Sequence, residues 1–358
     1  MSIAFYAPLK PPNHETPSGD RTIARAILKA LRFTGAHITV ASSLRSRDGK
    51  GDKQVQSQMM AAARAENNDL ISQGQSAGWR AWITYHNYYK APDLLGPYVS
   101  KALNIPYIQI ESTRARKRLK GPWAEFAYQA EQAADAATLI FYFTQRDAFA
   151  LKRDAPAGQR LRHLKPFLSL HELPPMTSGF GPMLSVGMMR EGDKLASYEM
   201  IAETLAQLRI KDWHLNIAGD GIGRAEVETM LSPFKGRVSF LGALSSEKLQ
   251  EMYRNASLLL WPGVNEAFGL TYLEAQAHGL PVIAQNRPGV REVLAPGDYP
   301  GCDTGASGLA IAVEDALSNP QENRANGIRA RHYVEENHLL PAAASTLHRE
   351  LSDLGVSI

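Results

Sequence analysis

Two carboxylates eight positions apart, Glu266 and Glu274, flank a glycine turn in the stretch Asn265-Glu266-Ala267-Phe268-Gly269-Leu270-Thr271-Tyr272-Leu273-Glu274. A carboxylate can accept a vicinal diol through its two oxygens, and the free N–H groups at a helix start can receive phosphate oxygens. Residues 257–262 read as a strand that stops at Pro262, so 263–269 form a loop at a strand's carboxyl end, where open α/β sheets bind ligands. A plainer reading stands beside this one. Thr271 followed three residues later by Glu274 matches a capping box, and Glu266 also reads as a solvated loop acid.

Other segments carry chemistry of the same kind. Met183-Leu184-Ser185-Val186 is followed by Gly187, Met188, Met189, Arg190 and, after a short turn, Lys194. Two cations in one turn after a strand suit a bound anion; a solvated turn of mixed charge is the alternative. Gly219-Asp220-Gly221 follows a further apolar run, and Phe240-Leu241-Gly242 ends another. In the first half, Pro17-Ser18-Gly19-Asp20-Arg21 joins the first strand to the first helix, and glycine there permits close approach of backbone to a ligand. Glu111 ends the run after Ile105-Pro106, and His86 ends Trp82-Ile83-Thr84-Tyr85. A lone histidine beside tyrosines is more often a structural, hydrogen-bonded residue than a ligand contact.

These residues need a scaffold that gathers strand ends. Short β-branched or aromatic runs alternate with amphipathic stretches throughout, the pattern of parallel α/β units. Strands are predicted at 3–7, 37–41, 81–85, 107–110 and 137–143, and again at 183–186, 214–218, 238–241, 257–260 and 281–284. Helices are predicted at 22–34, where Ile23, Ile27 and Leu31 recur four apart, and near the end at 322–338 and 342–354. Residues 164–182, rich in Pro, Ser and Gly, form the boundary. At 358 residues, two domains are expected: 1–170, a Rossmann-like domain, and 171–340, a second of the same kind. Residues 341–358 form a terminal helix that could pack back on the first domain.

Charge is divided unevenly. Residues 1–180 hold 24 Lys and Arg against 14 Asp and Glu, whereas residues 181–358 hold 15 against 22. The basic half is therefore the one to approach an anionic surface. Its densest run, Arg114, Arg116, Lys117, Arg118 and Lys120 followed by Trp123, suits anionic lipid headgroups or, equally, a solvated helix face. No nucleic-acid partner is expected. The single cysteine, Cys302, excludes an internal disulfide framework and a cysteine-rich zinc site. No metal or cofactor site is expected, and the location expected is cytoplasmic, either free or peripheral on the inner face of the membrane.

The run Trp261-Pro262-Gly263-Val264-Asn265-Glu266-Ala267-Phe268-Gly269-Leu270-Thr271-Tyr272-Leu273-Glu274, continued to Gly279-Leu280-Pro281-Val282-Ile283-Ala284, resembles the Glu-x7-Glu block of retaining glycosyltransferases of the group 1 family. The resemblance implies a GT-B fold, two Rossmann-like doubly wound domains facing a cleft. It implies that Glu266 lies beside a donor sugar, that Glu274 binds the ribose, and that N–H groups of Phe268, Gly269, Leu270 and Thr271 face the diphosphate. Gly219, Asp220, Leu241 and Gly242 fall where the family meets the nucleotide, and Gly19 where it meets donor phosphate or acceptor. Two departures stand out. The family places its arginine directly after the glycine, where this chain has Met188, so Arg190 is the candidate beside Lys194. It also places a histidine where this chain has Glu111, with His86 the other first-domain candidate. The implied function is metal-independent transfer of a sugar, from a UDP-sugar by preference, to a hydroxyl acceptor such as a membrane lipid or lipid-linked glycan. A nucleotide-sugar epimerase or hydrolase and a non-catalytic sugar-nucleotide-binding subunit are the alternatives.

Overall fold

The computed structural model describes residues 2–16 and 18–356, so Pro17 of the first loop lies outside the described residues. The chain forms two compact units, Met1–Lys165 with Leu340–Ile358, and Pro166–Leu339.

In the first unit, β1 (Ser2–Tyr6), α1 (Gly19–Phe33), β2 (His37–Val40), α2 (Lys53–Ala77), β3 (Trp79–Asn87), α3 (Gly96–Leu103), β4 (Tyr107–Ser112), α4 (Ala124–Ala136), β5 (Leu139–Tyr142), α5 (Gln145–Asp154) and β6 (Arg160–His163) alternate along the chain. The strands lie parallel in the order β2-β1-β3-β4-β5-β6. Because β2 lies on one side of β1 and β3 on the other, the switch point of the sheet falls between β1 and β3. Buried Tyr6, Trp79, Trp82, Tyr107 and Ile140 belong to one core cluster of this unit. Ser18 starts α1 by accepting from the Arg21 N–H at 3.3 Å, and Ile27 and Leu31 are fully buried on its inner face.

The second unit runs β7 (Met183–Val186), α6 (Asp193–Gln207), β8 (Leu215–Ala218), α7 (Arg224–Met230), β9 (Val238–Gly242), α8 (Ser246–Arg254), β10 (Leu259–Leu260), α9 (Leu270–Ala277), β11 (Val282–Ile283), α10 (Gly305–Ser318) and α11 (Pro320–Asn337). Its parallel order is β11-β10-β7-β8-β9, which sets the switch point between β7 and β10. The last helix, α12 (Leu340–Ser352), belongs to the first unit and packs on α1. Arg160 and Arg162 of β6 each reach the buried Glu350 carboxylate of α12 at 2.9 Å.

Two elements depart from the expectations. The 25-residue α2 buries only a few side chains, Leu70 among them, so its apolar spacing is too sparse to announce a helix. Asp52 caps it through the N–H groups of Gln54 and Val55, and Gly78 ends it with φ of 62°. Edge strand β6 reads Arg-Leu-Arg-His and lacks an apolar run, because its arginines face the acidic end of α12.

Candidate active site

The second sheet brings Lys194 and Glu266 together at its switch point. Lys194 lies in the first turn of α6, after the loop from β7, and Glu266 lies in the loop after β10. Their ammonium and carboxylate form an ion pair, with side chains 21% and 16% exposed. Trp261 completes the group: its Nε1 donates to Glu266 Oε1 at 3.1 Å, and the Lys194 ammonium sits 5.2 Å from its ring centroid. The loop is held to α6 by two further bonds, Val264 N–H to Ser197 Oγ and Asn265 Nδ2 to Asp193 Oδ1, each 3.1 Å. Asn265 adopts a left-handed φ of 53° to make this turn.

The Gly219-Asp220-Gly221 turn packs backbone to backbone against the loop after β7. Met189 N–H donates to the Asp220 carbonyl at 2.9 Å, and Gly223 N–H to the Met189 carbonyl at 2.9 Å. At Gly219, with φ of 145°, a Cβ would stand 1.9 Å from the Gly187 carbonyl oxygen. The glycine thus seats the neighbouring loop. Met188 and Arg190 point to solvent on either side of buried Met189, and Arg190 has no ion pair among the described residues. Asp220 is half exposed and bonds Arg224, while Leu241 and Gly242 end β9 with the Gly242 carbonyl accepting from Gly219 N–H at 2.8 Å.

The capping-box reading of Glu274 is corrected. Helix α9 starts two residues earlier than that reading requires, with Gly269 at its N-cap and φ of 80°, and no side chain caps it. Thr271 is inside the helix, so Glu274 cannot close a box with it. Instead Glu274 Oε2 accepts from the Tyr253 hydroxyl of α8 at 2.8 Å. Burial pushes the Glu274 carboxyl up, and the tyrosine bond pulls it part of the way back. Phe268 is buried beneath the turn, and Leu270 and Thr271 form the first turn of α9.

In the first unit, His86 is not an isolated structural histidine. It ends β3 beside α1 and β4, with Nδ1 3.2 Å from Asp20 Oδ1 and 3.8 Å from Glu111 Oε2. Both His86 and Glu111 hold left-handed backbones, φ 66° and 60°, which non-glycine residues adopt at a cost of about 1–3 kcal/mol. Burial alone would lower His86, but Glu111 and Asp20 outweigh it and its pKa is raised. Burial raises Glu111, a shift that His86 moderates. Asp20 is lowered: the bond to His86 overcomes its burial. Gly19 opens α1 with nothing within 4 Å of where a Cβ would stand, so close packing does not demand glycine there.

The basic run divides. Arg114 is corrected from a headgroup candidate to a structural residue: its side chain is fully buried and bonds Glu131 at 2.9 Å and Asp135 at 2.6 Å. Arg116 leans on Asp154 at 3.4 Å, and Arg118 stacks over the Tyr89 and Trp123 rings. Lys117 and Lys120 are exposed. Neither a single helix face nor a uniform headgroup patch describes the segment.

Asp20, Tyr253 and Trp261 carry site contacts that sequence reasoning did not assign. Asp20 had a signal in its place in the first βα loop beside Gly19, and Trp261 in opening the run that carries Glu266, whereas Tyr253 had none. Among the described residues no group of three or more His, Cys, Asp or Glu is arranged to hold a metal ion, and no helix is long and apolar enough to cross a membrane.

Comparison with known proteins agrees with this architecture. A GDP-mannose-dependent alpha-mannosyltransferase of Mycolicibacterium smegmatis is 34% identical over 142 residues, 38% of this chain and 36% of that protein. The match thus spans about a third of the relative's length. Among solved structures, sucrose-phosphate synthase from Thermosynechococcus elongatus superposes with a TM-score of 0.73 at 17% identity, covering 99% of both chains. Anabaena HepE, solved in complex with UDP, gives 0.73 at 15% identity over 99% of this chain and 100% of its own. These likenesses establish the fold, two Rossmann-like α/β domains of the GT-B class. The family model described as glycosyl transferases group 1 matches residues 183–319, the stretch that contains Lys194, Glu266 and Glu274. It is residues 183–319, rather than the whole chain, that are similar to the glycosyl transferases group 1 family.

Proposed function

We propose that the chain is a retaining glycosyltransferase that moves a sugar from a nucleoside diphosphate donor, UDP-linked by preference, to a hydroxyl acceptor. The observation that carries this reading is the convergence of Lys194, Glu266 and Trp261 at the switch point of the second sheet, beside the start of α9. Glu274 is assigned to the ribose hydroxyls. The N–H groups around Gly269, with Lys194 and Arg190, are assigned to the diphosphate. In the transfer the bond from the anomeric carbon to phosphate oxygen breaks and the bond to the acceptor oxygen forms on the same face. The acceptor proton passes to the departing phosphate, so no protein nucleophile is required. Fixed cations and helix N–H groups do most where charge develops on the leaving oxygen. Glu266 is assigned to the sugar, and Glu111 with His86 to the first domain's contribution.

The relative named for GDP-mannose and the structure solved with UDP support a nucleoside diphosphate donor in general. The preference for UDP, independence from metal, and a lipid or lipid-linked acceptor are parts of the proposal. A panel of UDP- and GDP-sugars with lipid extract, run with and without chelator and scored by nucleotide release and product mass, tests all three. Release without transfer to any acceptor would identify a hydrolase. Met188, standing where the family sets an arginine, favours one rival: a subunit that binds sugar nucleotide without turnover.

A further inference from the structure

We infer that Tyr253 is a positioning residue for the nucleotide, its hydroxyl fixing the Glu274 carboxylate in the orientation that the ribose meets. The inference rests on the donor reading above.

Tyr253 lies near the end of α8 and is 0% exposed. A phenylalanine would be cheaper to bury there, because a buried phenol needs a hydrogen-bond partner. Its partner is Glu274 Oε2, at 2.8 Å, and Thr271 lies within reach of the same hydroxyl. Thr271 and Glu274 are three apart on α9 and share one face of it. The hydroxyl from the neighbouring helix therefore bonds the carboxylate that fails to cap its own helix. The ring is fixed in turn: it stacks on His278 with centroids 5.1 Å apart and planes at 26°, and His278 Nδ1 lies 2.8 Å from the Glu274 carbonyl oxygen.

This arrangement leaves Oε1 of Glu274 for a ligand. A side chain already held in one rotamer loses less entropy on binding than a free one. The bond also favours the ionised carboxylate against its burial, and the ionised form accepts hydroxyls through both oxygens. Among the described residues, Tyr253 from α8 is the one polar group that acts on this carboxylate, while His278, just past the end of α9, meets the Glu274 backbone carbonyl and feels Arg254 and Arg331.

Calorimetric titration of the full chain with UDP and with GDP tests the inference, using the parent, Tyr253→Phe, Glu274→Gln and the double variant below their melting midpoints. Phenylalanine keeps the ring on His278 and removes only the hydroxyl. Each single variant is expected to weaken the nucleotide that binds by about tenfold, the scale of one hydrogen bond to a charged group. The double variant should bind no more weakly than Glu274→Gln, because the hydroxyl acts through that carboxylate. In Tyr253→Phe, the pH below which affinity falls should move upward. Parent-like affinity in Tyr253→Phe, or an undiminished penalty in the Glu274→Gln background, would overturn the role of Tyr253 alone. If Glu274→Gln binds as the parent does, or the parent binds neither nucleotide, the ribose assignment fails and takes this inference with it.

Discussion

Lys194 and Glu266 are ion-paired across the switch point of the second sheet, with the Trp261 indole bonded to the same carboxylate oxygen. The loop after β7 and the loop after β10 thus meet through opposite charges at the place assigned to the donor. A diphosphate entering there would compete with Glu266 for the lysine, releasing the carboxylate toward the sugar. Lys194→Ala is expected to lower kcat by about 100-fold, the effect of removing one fixed donor from a developing anion. Glu266→Gln is expected to lower kcat while leaving the affinity for free nucleotide near that of the parent. Steady-state kinetics paired with nucleotide titration checks both, and equal losses in binding and turnover would move Glu266 from sugar to nucleotide.

Arg190 stands exposed two positions beyond the place where the family carries its arginine, and Met188 occupies that place. An unpaired, flexible cation can swing to a diphosphate. Arg190→Ala should therefore weaken nucleotide binding by about tenfold, whereas Met188→Arg should tighten it by adding a second cation to the loop. Calorimetry on the two variants decides the assignment: no change in Arg190→Ala would leave Arg190 as a solvated turn residue.

Gly219 is required by its neighbour. Alanine there would put a Cβ 1.9 Å from the Gly187 carbonyl oxygen, in a backbone conformation with φ of 145°. Gly219→Ala should cost about 2–4 kcal/mol. Gly236 provides the control, since its φ is 88° but nothing lies within 4 Å of a Cβ. Gly236→Ala should cost only about 1 kcal/mol. Denaturant midpoints measure both, and equal costs would mean that the close approach of the two loops is unimportant.

The Asp20–His86 pair makes stability depend on pH in a defined window. His86 is raised above its ordinary 6.5, so its contribution is full below 6.5 and is lost as pH rises through the folded value. Asp20 is lowered below 3.8, so its contribution is present above 3.8 and is lost as pH falls through its folded value. Glu111 from β4 and Asp147 from α5 also act on the imidazole and hold it up further. The stability advantage of the parent over Asp20→Asn should therefore form a plateau between these limits and shrink on the alkaline side. Thermal midpoints across pH, with the His86 titration followed by NMR, provide the check. An advantage that grew above neutrality would contradict the pairing.

The strand and loop that carry Glu266 were legible from residue order because residues 257–274 are contiguous. Met183–Val186 is a strand at the bounds expected, and the loop after residue 262 bears Glu266 as the strand-end argument required. What stayed hidden depends on distance along the chain. The Tyr253 bond to Glu274 spans 21 positions, and the Asp20–His86 contact spans 66, so no local spacing reports them. The capping-box expectation failed because Gly269, with its left-handed φ, starts α9 before Thr271 can serve as the cap. Helix α2 escaped notice because a mostly solvated helix needs little apolar periodicity.

The division of the basic run separates folding from surface binding. Arg114 has a fully buried side chain between Glu131 and Asp135, so Arg114→Met should cost about 3 kcal/mol by leaving buried acid unpaired. Lys117 and Lys120 are exposed, and alanine at both should leave the melting midpoint near that of the parent. Each cation close to an anionic membrane contributes about 1 kcal/mol. If the first unit docks on anionic lipid, the lysine double variant should lose roughly 30-fold in partitioning onto phosphatidylserine vesicles. The same loss should appear on raising the salt concentration, because exposed charges are screened. Sedimentation with neutral and anionic vesicles measures it. Partitioning unchanged by the two substitutions would remove this segment from any membrane-facing surface and leave it as the packed link that joins β4 to α4.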